Sequence, residues 1–141
     1  MSIQNNNKIL VSDVMLPPGQ FPAINKTTFL KEALEEMGKY SLGIVCIIDN
    51  ENKLCGILTD GDIRRKLLKV QKPFSAFFVD DALLHSISKP ICCKANDLLF
   101  KAVTIMGEKK VWDLPVIDND RKLLGLLHLH PALKSLLERN T

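Results

Sequence analysis

The sequence has few aromatic residues and no concentration of charge of one sign. Phe, Trp and Tyr make up 6% of the 141 residues, and the formal net charge of +3 is spread along the chain. Proteins that bind nucleic acids more often show a concentrated basic stripe with interleaved aromatic side chains. The composition therefore argues against a nucleic-acid partner.

Long apolar segments are also absent from the sequence. The longest clear apolar run, Ile44–Ile48, is far shorter than the ~18 residues that a membrane span requires. The polar N-terminal segment MSIQNNNKIL contains no apolar core of a secretory signal. We therefore expect a cytoplasmic protein with no membrane partner.

Cysteine and histidine are too sparse to predict a metal site. None of the 4 cysteines forms a Cys-x-x-Cys pair, and the vicinal Cys92 and Cys93 have the spacing of neither a zinc site nor a normal disulfide. His128 and His130 have no nearby cysteine or carboxylate that completes a set of metal ligands. We expect buried free thiols, a reducing compartment and no bound metal.

What the sequence does contain is an internal repeat. After a shift of 69 positions, IIDNENKLCGIL at 47–58 lies over VIDNDRKLLGLL at 116–127, and apolar positions upstream match without a gap. Each copy is predicted to form a short strand, a helix, a β-hairpin and a second helix. Neither copy is large enough to bury both faces of its sheet alone, so we expect the two copies to pack together.

The predicted elements follow from local patterns in each copy. The opening strands are PAIN and ICCK, and Thr28 and Asp97 are suitable N-caps for the helices that follow. An Asp-Asn pair suits each hairpin turn because these residues tolerate a left-handed backbone conformation. The hairpin strands are predicted at 44–49 with 53–59 and at 114–118 with 122–128, and the closing helices near 62–70 and 131–139.

These features resemble a tandem CBS-domain pair, also called a Bateman module. The resemblance covers nearly the whole chain and rests on the gapless repeat, on VSDVM at 11–15, on GILTDGD at 56–62 and on LPVID at 114–118. It implies an α+β fold with two pseudo-symmetric β-α-β-β-α repeats, 9–75 and 76–139. The two repeats are expected to pack sheet against sheet as one module.

The resemblance also implies a homodimer, since CBS pairs commonly associate through their helices. Large exposed apolar patches are unusual on a monomer, and the predicted helices carry more leucine than a small core needs. The leucines expected to supply this surface are Leu30, Leu34, Leu67, Leu68, Leu133 and Leu136.

A narrower resemblance links the chain to one kind of enzyme. GILTDGDIRR at 56–65 and LLGLLHLH at 123–130 resemble the C-terminal CBS pair of arabinose 5-phosphate isomerases. A sugar-isomerase domain precedes the pair in those enzymes, whereas only about a dozen residues precede the first repeat here. We therefore expect the catalytic machinery to be missing and predict that the protein is not an enzyme.

The function that the resemblance implies is regulatory. It predicts that a nucleotide or nucleotide sugar of adenosine or cytidine type, such as AMP, ATP or a CMP-linked sugar, binds between the two repeats. The expected partner is a regulated enzyme encoded nearby. Two alternatives stay open: a ligand-free interaction or assembly module whose pockets are filled by side chains, and a detached regulatory part of a sugar-phosphate isomerase.

The predicted binding site centres on the family pattern Gly-x-x-Thr-x-x-Asp, which Gly56, Thr59 and Asp62 match. In the family this pattern contacts the ribose of the ligand, and the resemblance places Ile57 against the base. Thr59 and Asp62 also have nearly the spacing of a capping box, so helix capping, worth about 1 kcal/mol, is the alternative interpretation. The positions expected to complete the pocket from the second repeat are Ile91, Cys92, Val111 and Trp112.

The second repeat does not preserve this pattern. Its equivalent positions are His128 and Pro131, so the carboxylate is absent and we expect one ribose site per chain. Adenylate-binding members commonly hold a phosphate with a basic residue just ahead of the second strand, and neither repeat has one there. The alternatives for that role are Arg64, Arg65 and Lys110.

Overall fold

The computed structural model describes residues 8–69 and 72–138. Within these ranges the chain forms helices and short strands, which confirms the predicted α+β class. Residues 70 and 139, at which the closing helices are predicted to end, lie outside the described ranges. The elements are β1 (Ala23–Asn25), α1 (Leu30–Tyr40), β2 (Ile44–Ile48), β3 (Leu54–Thr59), α2 (Asp60–Lys69), α3 (Phe74–Phe78), α4 (Leu99–Lys109), β4 (Asp113–Ile117), β5 (Leu123–His128) and α5 (Leu129–Glu138).

The chain divides into two compact units. The first-repeat unit comprises residues 19–90, and the second-repeat unit joins the segment up to Pro18 to the residues from Ile91 onward. The predicted boundary at residues 75 and 76 follows the sequence repeat, and it stays a prediction. The compact units differ from this boundary because each unit includes the segment that precedes the other repeat in sequence.

The first-repeat unit is built on the sheet of β1, β2 and β3. β1 pairs with β2 in parallel, and β2 pairs with β3 antiparallel, with Cys46 opposite Ile57. On α1, Leu30, Ala33 and Met37 recur at the predicted helical spacing, and all three are buried in the core of this unit. The hydrophobic periodicity thus determines which face of α1 packs inward.

The second-repeat unit repeats this arrangement with one difference. Its elements α4, β4, β5 and α5 each begin 69 residues after α1, β2, β3 and α2. The prediction of an opening strand at ICCK is wrong. This segment makes only a single parallel bridge, between Cys93 and Val116. In the first-repeat unit the N–H of Cys46 donates to the carbonyl of Pro22 at 3.0 Å, but the residue equivalent to Cys46 is Pro115, which has no N–H.

The aspartate of each hairpin turn bonds the backbone as predicted, but the left-handed residue is Asn52 or Arg121 and does not belong to the Asp-Asn pair. The Asp49 carboxylate accepts hydrogen bonds from the backbone N–H groups of Glu51 and Lys53. These bonds, of which the one from Lys53 has the larger effect, lower the pKa of the Asp49 carboxyl. Asn52 has a left-handed backbone with a φ of 65°, and Arg121 adopts the same conformation at 66° in the second hairpin. Arginine is not favoured there, so the aspartate at the start of the turn is the stronger signal.

Each unit contains one lead-in segment. The lead-in of the second-repeat unit is residues 10–16, and the lead-in of the first-repeat unit is residues 81–87. Leu16 exchanges backbone hydrogen bonds of 2.8 and 3.0 Å with Leu126 of β5 in the second-repeat unit. Ile87 makes the same exchange with Ile57 of β3 in the first-repeat unit, again at 2.8 and 3.0 Å. Each lead-in therefore pairs with the strand that ends at a strand-to-helix junction.

A glycine permits each of these pairings. A Cβ atom on Gly56 would lie 2.6 Å from the Ser86 Oγ and 3.0 Å from the Ile87 carbonyl oxygen. A Cβ atom on Gly125 would lie 2.8 Å from the carbonyl oxygen of Leu16. Glycine inside a strand often marks such a close approach of another backbone. The glycine of the Gly-x-x-Thr-x-x-Asp pattern thus has a structural role in this chain.

Of the leucines expected to supply a dimer surface, Leu34 and Leu67 are half-buried and the others are either buried or exposed. Leu30 and Leu136 are buried in the cores of their own units, so their assignment to an outer surface is wrong. Leu68 on α2 is 81% exposed and Leu133 on α5 is exposed, and so is Leu137 on α5, which the prediction did not include. None of the helices in the described part of the chain combines the length and the apolar character needed to cross a bilayer.

Candidate functional site

Thr59 and Asp62 meet where β3 passes into α2. The backbone N–H of Asp62 donates to the Thr59 Oγ1 at 3.1 Å, and the Thr59 hydroxyl donates to the Asp62 Oδ2 at 2.7 Å. A threonine that accepts a bond from the third residue of a helix is an N-cap. Thr59 therefore caps α2, as the alternative interpretation expects, while the ligand-binding role of Thr59 and Asp62 stays a prediction.

The second oxygen of Asp62 is held by Arg65. The Arg65 Nη2 donates to the Asp62 Oδ1 at 2.5 Å. The Asp62 side chain is only 16% exposed, whereas that of Arg65 is 59% exposed. Each carboxylate oxygen can accept two hydrogen bonds, so Asp62 keeps acceptor capacity beside Thr59 and Arg65.

A cleft of about 270 Å³ opens beside this junction within the first-repeat unit. One side of it is a face of α2, because side chains at spacings of three, four and seven residues lie together on a helix. The other side is the end of the lead-in at 81–87. The lining residues are Asp62, Arg65, Lys66, Lys69, His85, Ser86 and Ile87.

The cleft carries a net positive charge. Arg65, Lys66 and Lys69 line it, and Asp62 is its one carboxylate. Arg65 pairs with Asp62, but within residues 8–69 and 72–138 no carboxylate forms an ion pair with Lys66 or Lys69. Ile87 adds a partly exposed apolar side chain. The cleft thus offers an acceptor for hydroxyls, an apolar contact and cations for an anionic group.

His85 is a fixed part of the cleft lining. It is buried, its ring stacks on Phe77 with centroids 4.2 Å apart, and its Nε2 lies 2.9 Å from the Asp80 Oδ2. Lys72 donates to the same oxygen at 2.5 Å. The hydrogen bonds from Lys72 and then from His85 hold the pKa of Asp80 below its usual range. This network orients the His85 ring from behind the cleft.

The remaining predicted site residues lie in different places. Ile57 is buried in β3 and pairs through its backbone with Ile87 of the cleft. The other four belong to the second-repeat unit, where Trp112 is 70% exposed, Ile91 is exposed and Cys92 and Val111 are half-buried. Burial raises the pKa of the Cys92 thiol. The first-repeat unit thus contains Ile57, Thr59 and Asp62, of which the last two are in contact, and the binding role of all seven predicted residues stays a prediction.

The equivalent junction of the second-repeat unit has different chemistry. The His128 Nδ1 lies 2.7 Å from the Asp113 Oδ1, and Pro131 stands in the first turn of α5. No carboxylate occupies the position that Asp62 has in α2. Among the described residues, no group of three or more His, Cys, Asp or Glu side chains could hold a metal ion.

Sequence patterns missed five residues of the cleft. Lys66 and Lys69 follow Asp62 at four and seven residues, and this helical spacing could have identified them. His85, Ser86 and Ile87 reach the cleft through the pairing of the lead-in with β3, which no local pattern indicates.

Comparison with known proteins identifies the family. The model of the CBS domain matches residues 11–69 and 80–130. The chain belongs to the CBS-domain family. Its two CBS domains coincide with the two copies of the repeat, and the tandem organisation predicted from the sequence is confirmed.

Curated relatives of this CBS pair are longer proteins. An uncharacterized protein of Helicobacter pylori strain J99 is 34% identical over 122 residues, which cover 85% of this chain and 35% of that protein. Arabinose 5-phosphate isomerase KdsD of Pseudomonas aeruginosa is 33% identical over 128 residues, covering 89% of this chain and 37% of the isomerase. The chain thus spans little more than a third of the length of these relatives.

Solved structures show the same fold. CBSX2 in complex with AMP superposes with a TM-score of 0.81 at 24% identity, covering 94% of this chain and 98% of that one. The CBS pair of MJ0100 in complex with 5'-methylthioadenosine and S-adenosyl-L-methionine gives 0.74 at 20% identity, with coverages of 94% and 98%. The chain therefore has the fold of a CBS pair.

Proposed function

We propose that this CBS pair is a regulatory module that binds a nucleotide-type ligand and carries out no reaction of its own. The observation that carries the proposal is the junction of Thr59 and Asp62 at a positively charged cleft. The ligands of CBSX2 and MJ0100, which are AMP, 5'-methylthioadenosine and S-adenosyl-L-methionine, all contain the ribose of adenosine. A carboxylate beside a helix N-terminus can accept the two hydroxyls of such a ribose.

The cleft suits the separate parts of a nucleotide. Asp62 would accept the ribose hydroxyls, Ile87 would contact the base, and the cations along α2 would face an anionic group. Ile57, which the family resemblance places against the base, pairs through its backbone with Ile87 of the cleft. AMP, ATP and a CMP-linked sugar are the candidates, and the contacts proposed for the second repeat remain those at Ile91, Cys92, Val111 and Trp112.

Replacing Asp62 by alanine is expected to weaken nucleotide binding by roughly 10- to 150-fold. A hydrogen bond to a charged group contributes about 1.5–3 kcal/mol, and 1.4 kcal/mol corresponds to about tenfold in affinity. The ligand is first found with a thermal-shift panel of AMP, ADP, ATP, CMP and a cytidine-linked sugar acid, since a ligand at ~100 times its Kd stabilises the fold by about 2.7 kcal/mol. Calorimetric titration then compares wild type with Asp62→Ala.

The matched control is Pro131→Ala, at the equivalent position of the second repeat. We expect this variant to bind as the wild type does, with one ligand per chain, because proline offers no side-chain acceptor. Full affinity of Asp62→Ala, or two equal sites, would assign Thr59 and Asp62 to helix capping alone.

The ligand-free interaction module is the second candidate function. One observation favours it: both oxygens of Asp62 already accept a hydrogen bond, one from Thr59 and one from Arg65. If no nucleotide of the panel shifts the melting temperature, this candidate replaces the first. Either function is compatible with an arabinose 5-phosphate isomerase as the regulated partner, which the relationship to KdsD supports.

The assembly that we propose is a homodimer. Leu68, Leu133 and Leu137 are exposed helical leucines that a partner copy would cover. Multi-angle light scattering at ~100 μM is expected to give the mass of two chains, a concentration that also detects weak dimers with small interfaces. A monomer mass would contradict the proposal. A second run with purified KdsD-type isomerase tests whether the exposed leucines bind that enzyme instead of a second copy.

A further inference from the structure

We propose that His85 makes the site selective for bases that carry an amino group, an inference that rests on the nucleotide binding proposed above. His85 lines the cleft, and its side chain is only 7% exposed. Its Nδ1 accepts a hydrogen bond from the amino group of the base. The ligand class is therefore a nucleotide of adenine or cytosine rather than of hypoxanthine or uracil, which have a carbonyl oxygen in place of that amino group.

The Nε2 of His85 is a hydrogen-bond donor in this structure. It lies 2.9 Å from the Asp80 Oδ2, and the same oxygen accepts from the Lys72 Nζ at 2.5 Å. The hydrogen bonds from Lys72 and then from His85 hold the pKa of Asp80 below its usual range, so this carboxyl is ionised. An ionised carboxylate can only accept hydrogen bonds. The proton of the imidazole is therefore on Nε2.

The Nδ1 of His85 is the acceptor that this tautomer leaves. In a neutral imidazole the nitrogen without the proton accepts a hydrogen bond, and no group of residues 8–69 and 72–138 donates one to Nδ1. The ring cannot turn freely, because it stacks on Phe77 at an interplanar angle of 19°. A buried acceptor without a partner is costly. Since His85 lines the cleft, we expect its donor to be a group bound there.

The lead-in of the second-repeat unit has no such acceptor. Leu16 and Ile87 make the same backbone exchange with their partner strands, so the position two residues earlier in each lead-in is equivalent. His85 stands there in the first-repeat unit and Val14 in the second. Valine has no polar side-chain atom. Recognition of an amino group is thus a property of the first repeat.

The test compares ligands that differ at this one group. The full chain is titrated calorimetrically at about pH 8, above the ordinary titration range of histidine. The ligands are the mono- and triphosphates of adenosine and inosine, and those of cytidine and uridine. Wild type is expected to bind the amino member of a pair at least about tenfold more tightly, because a carbonyl oxygen would leave the buried acceptor unpaired.

Three variants separate recognition from a merely structural role of the histidine. His85→Phe keeps a ring on Phe77 but removes the acceptor, and it is expected to bind both members of a pair equally. Asp80→Ala no longer fixes the proton on Nε2, and it is expected to reduce the preference. Asp80→Asn is expected to retain it, because one amide oxygen can accept from both Lys72 and His85.

His130→Phe is the matched control, since it removes an exposed imidazole from α5. It is expected to keep the wild-type preference. Equal affinities within both pairs in wild type, or a preference that persists in His85→Phe, would overturn the inference and leave nucleotide binding standing. Failure of every nucleotide to bind wild type would overturn the proposed function, and this inference with it.

Nuclear magnetic resonance tests the tautomer directly, and it does not depend on whether His85→Phe folds. Correlation of the ring nitrogens with the ring protons in the ligand-free chain is expected to place the proton of His85 on Nε2. The Nδ1 resonance is expected to shift when AMP or CMP binds and to shift less with IMP or UMP. A proton on Nδ1 in the ligand-free chain would also overturn the inference.

Discussion

Replacing Phe77 by alanine is expected to destabilise the protein by about 3–5 kcal/mol, the usual cost of deleting a buried aromatic side chain. Phe77 is 1% exposed and belongs to the core of the first-repeat unit, although it comes from the short helix α3, which follows the closing helix α2. Its ring also supports His85 at 4.2 Å, so the loss removes a stacking partner as well as apolar contacts. Urea unfolding followed by circular dichroism measures the change in the free energy of unfolding.

The control for this prediction is Phe100→Ala on α4. Phe100 is 37% exposed, so its loss removes less buried apolar area than the loss of Phe77 and is expected to cost clearly less stability. Equal losses in the two variants would show that α3 does not pack on the first-repeat core as described. Phe77→Leu keeps most of the apolar volume, and it is expected to lie between wild type and Phe77→Ala.

Replacing Gly125 by alanine is expected to cost about 3 kcal/mol, the upper part of the range for overpacking a core. The new Cβ would lie 2.8 Å from the backbone carbonyl oxygen of Leu16. This oxygen cannot move away without loss of the hydrogen bond of 3.0 Å that it accepts from Leu126. The thermal midpoint and urea unfolding of Gly125→Ala measure the loss.

Gly107→Ala is the opposite test. Gly107 lies in α4, and a Cβ there meets no atom within 4 Å. Alanine in place of glycine inside a helix stabilises by roughly 0.5–1 kcal/mol, so this variant is expected to be more stable than wild type. A neutral Gly125→Ala alongside a stabilised Gly107→Ala would mean that the lead-in does not approach β5 closely.

The local elements could be predicted from the sequence because their signals are local. The apolar spacing of Leu30, Ala33 and Met37 predicts the buried face of α1, and the 69-residue offset transfers this prediction to α4. The loss of the opening strand in the second repeat was predictable too, because Pro115 lacks the N–H that Cys46 donates. The prediction failed there because it gave both copies the same opening strand although the second copy lacks this N–H.

The pairing of the lead-ins could not be predicted in the same way. Ile57 and Ile87 are joined by two backbone hydrogen bonds, and so are Leu16 and Leu126 across a much longer stretch of chain. Such contacts depend on the tertiary arrangement rather than on side-chain periodicity. The available sign was a glycine in the middle of each partner strand, Gly56 and Gly125, which indicates that another backbone approaches closely.

The candidate site was predictable only in part for the same reason. Thr59 and Asp62 are close in sequence, and the hydrogen bonds between them follow from the start of a helix. Arg65 follows Asp62 by three residues and could have been expected to contact it. His85 reaches the cleft through the lead-in and is oriented by Asp80, so local spacing gave no indication of it.

Each lead-in belongs to the unit of the repeat that it does not directly precede, and this has a mechanical consequence. The segment that ends at Pro18 belongs to the same compact unit as the residues from Ile91 onward. A force applied to the chain ahead of Lys8 is therefore transmitted to the second CBS repeat before it reaches the first. In a longer protein with a domain joined at that point, the first repeat would be nearest to that domain in sequence. The second repeat would nevertheless be the one that the joining segment packs against. Cutting such a protein between the repeats would remove a strand-pairing partner from both halves, because each half would lose the lead-in carried by the other.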